Sequence, residues 1–291
     1  NLDTLQVEGN KVLTGNLGGI GFPWDQASGM TLSDDGTVLA VCGSFTDDVS
    51  LVDTAAWQEV ARVDVGDFPV RAVFNASGTR LYVTNRNDDT VSEVRVSGAT
   101  STEINRYGVG ARPYNLELSP DGGTLYVGEY DDTRIRVLDT VDGSTTAVIS
   151  LPQPNNAGQP QDLQLSADGG LLYVAANGAD FHIIDTATNT LEATFNTGLA
   201  PADLAYNEVD DCAYLPSPNG DDGVSVVCVE DLCDCPEDIA DGDGVVGVND
   251  LLTLLANWGT DGAGAGIAAP FDEVEVNDLL ALLSAWGPCD G

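Results

Sequence analysis

Five proline steps divide most of this chain into units of nearly equal length. Pro23, Pro69, Pro113, Pro160 and Pro201 follow one another at spacings of 46, 44, 47 and 41 residues, most of them closing a VG..P or TG..P step. Between the steps the same texture returns: TVLAVCGSFTDDVSLVDT (37–54), TRLYVTNRNDDTVSEVRV (79–96), GTLYVGEYDDTRIRVLDT (123–140), GLLYVAANGADFHIIDT (170–186) and DCAYLPSPNGDDGVSVVCV (211–229). Each copy reads as a strand, a polar turn rich in Asp and Gly, and a second strand. A further short strand precedes it and ends in a tight turn: SDDG at 33–36, NASG at 75–78, SPDG at 119–122, SADG at 166–169. A fourth strand comes after it. Alternation inside the strands agrees, with Val70, Ala72 and Phe74 facing one way and Arg71 and Val73 the other.

Four strands every 40–50 residues, with turn signals between them, are the pattern of propeller blades. The repeats resemble the YVTN-type β-propeller repeat family, whose name-giving motif stands here as Tyr82-Val83-Thr84-Asn85. The resemblance covers roughly residues 1–230 and speaks for architecture more than for activity, because propellers host many unrelated functions. Members usually carry seven blades; this chain reads as five. The fifth repeat supplies three strands and stops, and residues 10–20 (NKVLTGNLGGI) match the missing fourth by comparison with TLEATFNTGLA at 190–200. The expectation is therefore an all-β propeller, residues 1–232, of about five four-stranded blades. An N-terminal strand closes the last blade and so removes two exposed edges. The same strand could complete a neighbour's blade instead, which would generate rings or filaments.

A second repeat occupies the tail. VVGVNDLLTLLANWG (245–259) returns as EVEVNDLLALLSAWG (273–287). Asp238-Ile239-Ala240-Asp241-Gly242-Asp243-Gly244 precedes the first copy. That run has the composition of a calcium loop, with Gly244 as the sixth position and Asp250 as the twelfth. Residues 233–291 resemble a dockerin-type module, which implies a small α-helical domain with two calcium-loop and helix units. Its Leu pairs and Trp258 and Trp286 would form one apolar face. The first loop departs from the pattern by one residue, with Ile239 at position one. The expected ligands are Asp238, Asp241, Asp243, the Val245 carbonyl and Asp250, an all-oxygen set suited to Ca²⁺. A weaker second set is Asp272, Glu275 and Asp278. The resemblance further implies a cohesin-like protein partner and ends of the module brought together, which would pair Cys235 with Cys289.

Charge narrows the function classes. One Lys, nine Arg and 47 acidic residues leave a net charge of -37, and no basic residue follows Arg136. Phosphate binding needs a basic patch, so nucleic acid and anionic membranes are excluded as expected partners. No apolar run is long enough to span a bilayer. Six cysteines in an acidic, Lys-poor chain fit an oxidising, extracellular compartment, and any export signal is expected to have been removed ahead of Asn1. Cys212 and Cys228 lie on paired strands, symmetric about the turn near Gly220, and should form a disulfide. Cys42 is either a buried free thiol or the partner of Cys233. His182 is the single histidine and reads as structural. The Asp pairs 47–48, 88–89, 131–132 and 221–222 read as turn chemistry, with a second cation site as the sharper alternative. No nucleophile motif or His cluster appears. The expectation is a secreted, calcium-stabilised, non-catalytic scaffold or interaction protein of the cell surface, matrix or a filament, binding protein or itself. The alternatives are a dockerin-bearing carbohydrate-binding or enzyme-complex subunit, or a calcium-dependent propeller hydrolase or lactonase.

Overall fold

The computed structural model describes residues 29–152, 158–178, 180–197, 200–207, 212–217 and 223–228, with two short pieces at 245–246 and 287–288. Four antiparallel four-stranded sheets succeed one another in chain order. Blade 1 holds β1 (Gly29–Leu32), β2 (Val38–Gly43), β3 (Asp48–Asp53) and β4 (Gln58–Asp64). Blade 2 holds β5 (Pro69–Phe74), β6 (Arg80–Asn85), β7 (Thr90–Arg95) and β8 (Thr102–Gly108). Blade 3 holds β9 (Pro113–Leu118), β10 (Thr124–Glu129), β11 (Arg134–Asp139) and β12 (Thr145–Ser150). Blade 4 holds β13 (Pro160–Leu165), β14 (Leu171–Ala176), β15 (Asp180–Asp185) and β16 (Thr190–Asn196). A three-stranded sheet comes next, made of β17 (Ala205–Asn207), β18 (Cys212–Ser217) and β19 (Gly223–Cys228). Finally β20 (Val245–Val246) pairs with β21 (Gly287–Pro288).

Two expectations change in count and content. Four of the five repeats are complete four-stranded sheets and the fifth shows three strands; residues 10–20 lie outside the described residues. No α-helix occurs among the described residues, and the two VNDLL segments of the expected helical module lie outside them. Two compact units divide the chain, residues 1–205 with 215–225 and residues 206–214 with 226–291.

The strand motif Leu-Tyr-Val explains how the blades stack. In β6, Leu81 and Val83 pack into a core shared with Ala40, Val49 and Leu51 of blade 1, whereas Tyr82 packs into the next core with Leu116, Leu125 and Val127 of blade 3. In β10, Leu125 and Val127 face back and Tyr126 faces forward, onto Leu163, Leu172 and Val174 of blade 4. Period-two alternation thus gives each sheet two apolar faces, one for each neighbour. The alternation expected in β5 is observed: Ala72 and Phe74 pack on the blade 1 side and Val73 on the blade 3 side. The first strands β1, β5, β9 and β13 approach one another in succession far more closely than the fourth strands do, so the first strands are innermost.

Turn residues fix the remaining geometry. In the turn SPDG, the Ser119 hydroxyl donates to Asp121, Asp121 accepts the Gly123 amide, and Gly122 takes φ +74. The same set recurs at Ser33-Asp35-Gly36 and Ser166-Asp168-Gly169. Hydrogen bonds from Ser and backbone amides hold Asp35 and Asp121 below the usual carboxylate range, as they do Asp168, where the backbone amide contributes most. The Asp-Thr pair that ends β3, β11 and β15 divides its work. Asp53, Asp139 and Asp185 accept amides of the next turn, while Thr54, Thr140 and Thr186 donate to the carbonyls of Gly36, Gly122 and Gly169.

Candidate functional site

The second and fourth loops of each blade reach the same face, and the Asp pairs of the sequence belong to them. The β2–β3 and β6–β7 turns place Asp47 and Asp89 in left-handed backbone, φ 56 and 55. Asp47 accepts the Phe68 amide at 3.0 Å, and Asp89 accepts the Arg112 amide at 2.9 Å. These amides belong to the loops that lead into blades 2 and 3. From the other side Asp88 accepts the Asp67 amide at 2.9 Å and Asp132 the Ala111 amide at 3.4 Å. Each entry loop is therefore clamped between the turns of two successive blades. Asp48 pairs with Arg62 and Asp131 with Arg112. These carboxylates work as turn and seam chemistry; Asp221 and Asp222 lie outside the described residues.

Clamping explains the VG..P step. A Cβ on Gly66 would meet Asn85 Cγ at 2.6 Å, and one on Gly110 would meet Glu129 Oε2 at 2.1 Å. Asn85 and Glu129 are register equivalents at the ends of β6 and β10, both fully buried. Glu129 accepts the Gly110 amide at 2.8 Å and pairs with Arg134 and Arg136. A buried carboxylate demands such neutralising partners.

Two residues beyond Pro69, Pro113 and Pro160 a polar side chain stands on an inner strand, Arg71, Asn115 and Asp162, and Asp203 holds the same place after Pro201, ahead of β17. The ladders of β5 and β13 slip between the proline and this residue, a bulge that re-aims the side chains beyond it. Arg71 Nε donates to Asn115 Oδ1 at 3.0 Å. Asn115 is buried, and its Nδ2 finds no acceptor. The Leu204 amide is shared by Asp162 Oδ2 at 3.1 Å and Asp203 Oδ1 at 3.0 Å. Burial, reinforced by the hydrogen bond and charge of Asp203 and opposed by Arg71, pushes Asp162 up to about 8. The hydrogen bond from Asp162 lowers Asp203. Burial and the neighbouring carboxylate thus favour the protonated form of Asp162, and the hydrogen bond favours the ionised form of Asp203. One residue pair further along β9, burial pushes Glu117 up to about 7.

Beside these inner side chains lies an aromatic and arginine layer. Phe45 meets Phe68 edge-on at 5.3 Å. Arg86 lies 5.9 Å from the ring centres of both Phe68 and Tyr114. Arg71 approaches Tyr114 at 5.9 Å, Tyr114 lies 5.9 Å from Tyr130, and Arg112 covers Tyr130 at 5.7 Å. Sequence reasoning missed both layers. Its available signal, for the inner layer, was the constant step of two from proline to a polar residue.

The sequence-derived candidates fare unevenly. Cys212 and Cys228 are joined as a disulfide. Cys42 is a buried free thiol, pushed up to about 12 by burial. His182 is buried, its Nδ1 is 2.9 Å from Thr194 Oγ1, and burial lowers it to about 4. Val245 sits in β20; Asp238, Asp241, Asp243, Asp250, Asp272, Glu275, Asp278, Cys235 and Cys289 lie outside the described residues. Among the described residues no three His, Cys, Asp or Glu side chains gather as a metal site, and no helix is long and apolar enough to cross a membrane.

Comparison with known proteins agrees with this architecture. The family described as YNCE-like beta-propeller matches residues 25–235. The seven-bladed beta-propeller protein Rv1057 of Mycobacterium tuberculosis (strain ATCC 25618 / H37Rv) is 32% identical over 129 residues, which are 43% of this chain and 33% of that protein. Among solved structures, Kuenenia stuttgartiensis hydrazine synthase superposes with a TM-score of 0.57 at 22% identity, over 73% of this chain and 60% of the other. A chain of a mitotic checkpoint complex gives 0.60 at 16% identity, over 68% and 61%. The chain thus spans a third of the curated relative and about three fifths of the two structural ones. At these identities the structural likeness carries the fold alone.

Proposed function

We propose that this chain, which belongs to the YNCE-like beta-propeller family, is a non-catalytic interaction propeller of an extracellular surface, matrix or filament. The observation that carries the proposal is the loop face. Its turn carboxylates are bound by backbone amides and arginines, and beside the inner strands there remains a layer of rings and guanidinium groups. Aromatic residues and arginine are the side chains that dominate protein contact surfaces. In this reading the C-terminal residues bind Ca²⁺ through Asp238, Asp241, Asp243, the Val245 carbonyl and Asp250, and residues 10–20 complete the fifth blade beside β19. Exposed Val224 and Val226 on β19, at 59% and 52%, are the apolar surface such a strand would cover.

A turnover screen tests the non-catalytic claim. Ester, lactone and phosphoester substrates with millimolar Ca²⁺ should show no rate above blank; turnover lost in Asp162→Asn would overturn it. That outcome would favour a second reading, a carboxylate-based hydrolase, which the protonated Asp162 and the raised Glu117 support, because both would titrate near neutral pH. The calcium claim has its own test. Adding Ca²⁺ to chelated protein should raise a melting transition, and Asp243→Ala should remove that rise; an unchanged wild-type curve would defeat it.

A further inference from the structure

We propose that the loop face over blades 1 to 3 binds an organic carboxylate carried on a ring with an apolar face, with Arg86 as the anion-pairing group and the Phe45, Phe68 and Tyr114 rings as the platform. The inference rests on the interaction reading and names the class of ligand for that same face.

Arg86 is the anomaly that demands a partner. Arg62, Arg80, Arg106, Arg112, Arg134 and Arg136 each hold a carboxylate within ion-pair distance; of the other three, Arg71 donates to Asn115 and Arg95 is exposed to water. Arg86 holds none among the described residues, in a chain with 47 acidic side chains to choose from. It is also half-buried, with Nε enclosed and without an acceptor. Leaving a partly desolvated guanidinium unpaired costs free energy. Its position is nonetheless fixed. The Arg86 amide donates to the Phe68 carbonyl at 3.0 Å, and the head group lies 5.9 Å from two ring centres, one on the entry loop to blade 2 and one at the start of β9. Arg71 approaches the same Tyr114 ring, so two cations converge on one phenol. Arg71 already faces Asp162, Asp203 and Asn115, so an incoming anion would pair with Arg86.

The surroundings choose among anions. A planar guanidinium matches a carboxylate in a two-point contact and stacks on flat groups. Asp67, Asp88 and Asp131 border the face through their own clamps, so a second negative charge on the ligand would meet repulsion that a single one avoids. That favours a monoanion over phosphate. Phe45, 52% exposed and edge-on to Phe68, extends the platform into solvent and suits a ring of low polarity or the flat face of a sugar. The carboxylate could be borne by an aromatic acid or by a uronic acid, and the experiment separates the two.

Full-length protein is titrated calorimetrically with phenylacetate, galacturonate, inorganic phosphate and phenethylamine. The expected result is saturable binding of phenylacetate or galacturonate. Phenylacetate alone identifies an aromatic acid, galacturonate alone a uronate. Phosphate should bind at least tenfold more weakly, and phenethylamine should give no heat. Arg86→Gln should weaken binding at least tenfold and Phe45→Ser several-fold, while Arg95→Gln, at the exposed end of β7, should leave it unchanged. No binding of either ring acid, equal binding of phosphate, or full binding by a folded Arg86→Gln protein overturns the proposal. Proton spectra of the ligand after incubation separate the two failures: an altered ligand counts against the non-catalytic reading, and an unbound one against this site.

Discussion

Single residues carry the seams between blades, and the sharpest case is Gly110. Its missing Cβ leaves room for Glu129, a fully buried carboxylate held by the Gly110 amide, Arg134 and Arg136. Gly110→Ala would drive a methyl group to 2.1 Å from Glu129 Oε2. The carboxylate cannot retreat without losing a guanidinium partner. The expected loss is about 3 kcal/mol, read from chemical unfolding. Gly66→Ala meets Asn85 instead, at 2.6 Å. The Asp88 carboxylate lies 2.7 Å from the same position, but Asn85 is uncharged and Asp88 is partly exposed, so both give way at lower cost and the smaller effect at Gly66 is the informative comparison. Cys42 offers a second check. Its buried thiol, pushed up to about 12, should resist iodoacetamide in the native protein and react only after unfolding; prompt native labelling would contradict the burial.

Strands and turns were the scale at which the sequence spoke most clearly. Leu81, fully buried in the core shared by blades 1 and 2, should cost about 2–5 kcal/mol when replaced by Ala. Removing the Cys212–Cys228 link should cost about 3 kcal/mol, since it closes a loop of 16 residues. Both sites were legible beforehand, Leu81 from period-two alternation and the cystine from symmetry about one hairpin. Turn glycines were legible for the same reason, because Ser119-Pro120-Asp121-Gly122 closes its turn with its own Ser and Asp and the next amide, that of Gly123. Every feature made by two blades together escaped. Nothing within residues 79–96 tells that Arg86 will lie between Phe68 and Tyr114, or that Asn85 will press on Gly66. Such contacts depend on how far one sheet is rotated against the next. A single repeat does not encode that angle, whereas it does encode its own alternation. Arg71, Asn115, Asp162 and Asp203 escaped for a related reason, since their common role emerges only when inner strands from successive blades are set side by side.

At the scale of the propeller unit, one shared proton ties stability to pH. Asp162 from blade 4 and Asp203 from the next repeat meet at the Leu204 amide, with Arg71 as the cation facing them and Glu117 as the neighbouring acid on β9. Asp162 sits at about 8 in the folded protein against an ordinary 3.8. The folded state therefore keeps a proton that the unfolded chain releases near pH 4. A group raised in this way contributes stability that is fully present below its unfolded value and lost as pH rises through the folded one. Glu117, pushed to about 7 by burial, acts in the same direction. His182 acts in the opposite one: lowered to about 4 by burial, it penalises folding as pH falls below 6.5. The two trends leave a stability maximum on the acid side of neutrality. Between pH 6.5 and 8.5 the ordinary carboxylates are all ionised already, so the net charge of -37 adds no slope there. A fall in melting temperature across that window reports Asp162 and Glu117. Asp162→Asn keeps a donor toward Asp203 and an acceptor for the Leu204 amide but cannot ionise. It should flatten most of the fall, and Asp162→Asn with Glu117→Gln should remove the rest. A double variant that still melts progressively lower from pH 6.5 to 8.5, in parallel with the wild type, would show that the shared proton does not govern this seam.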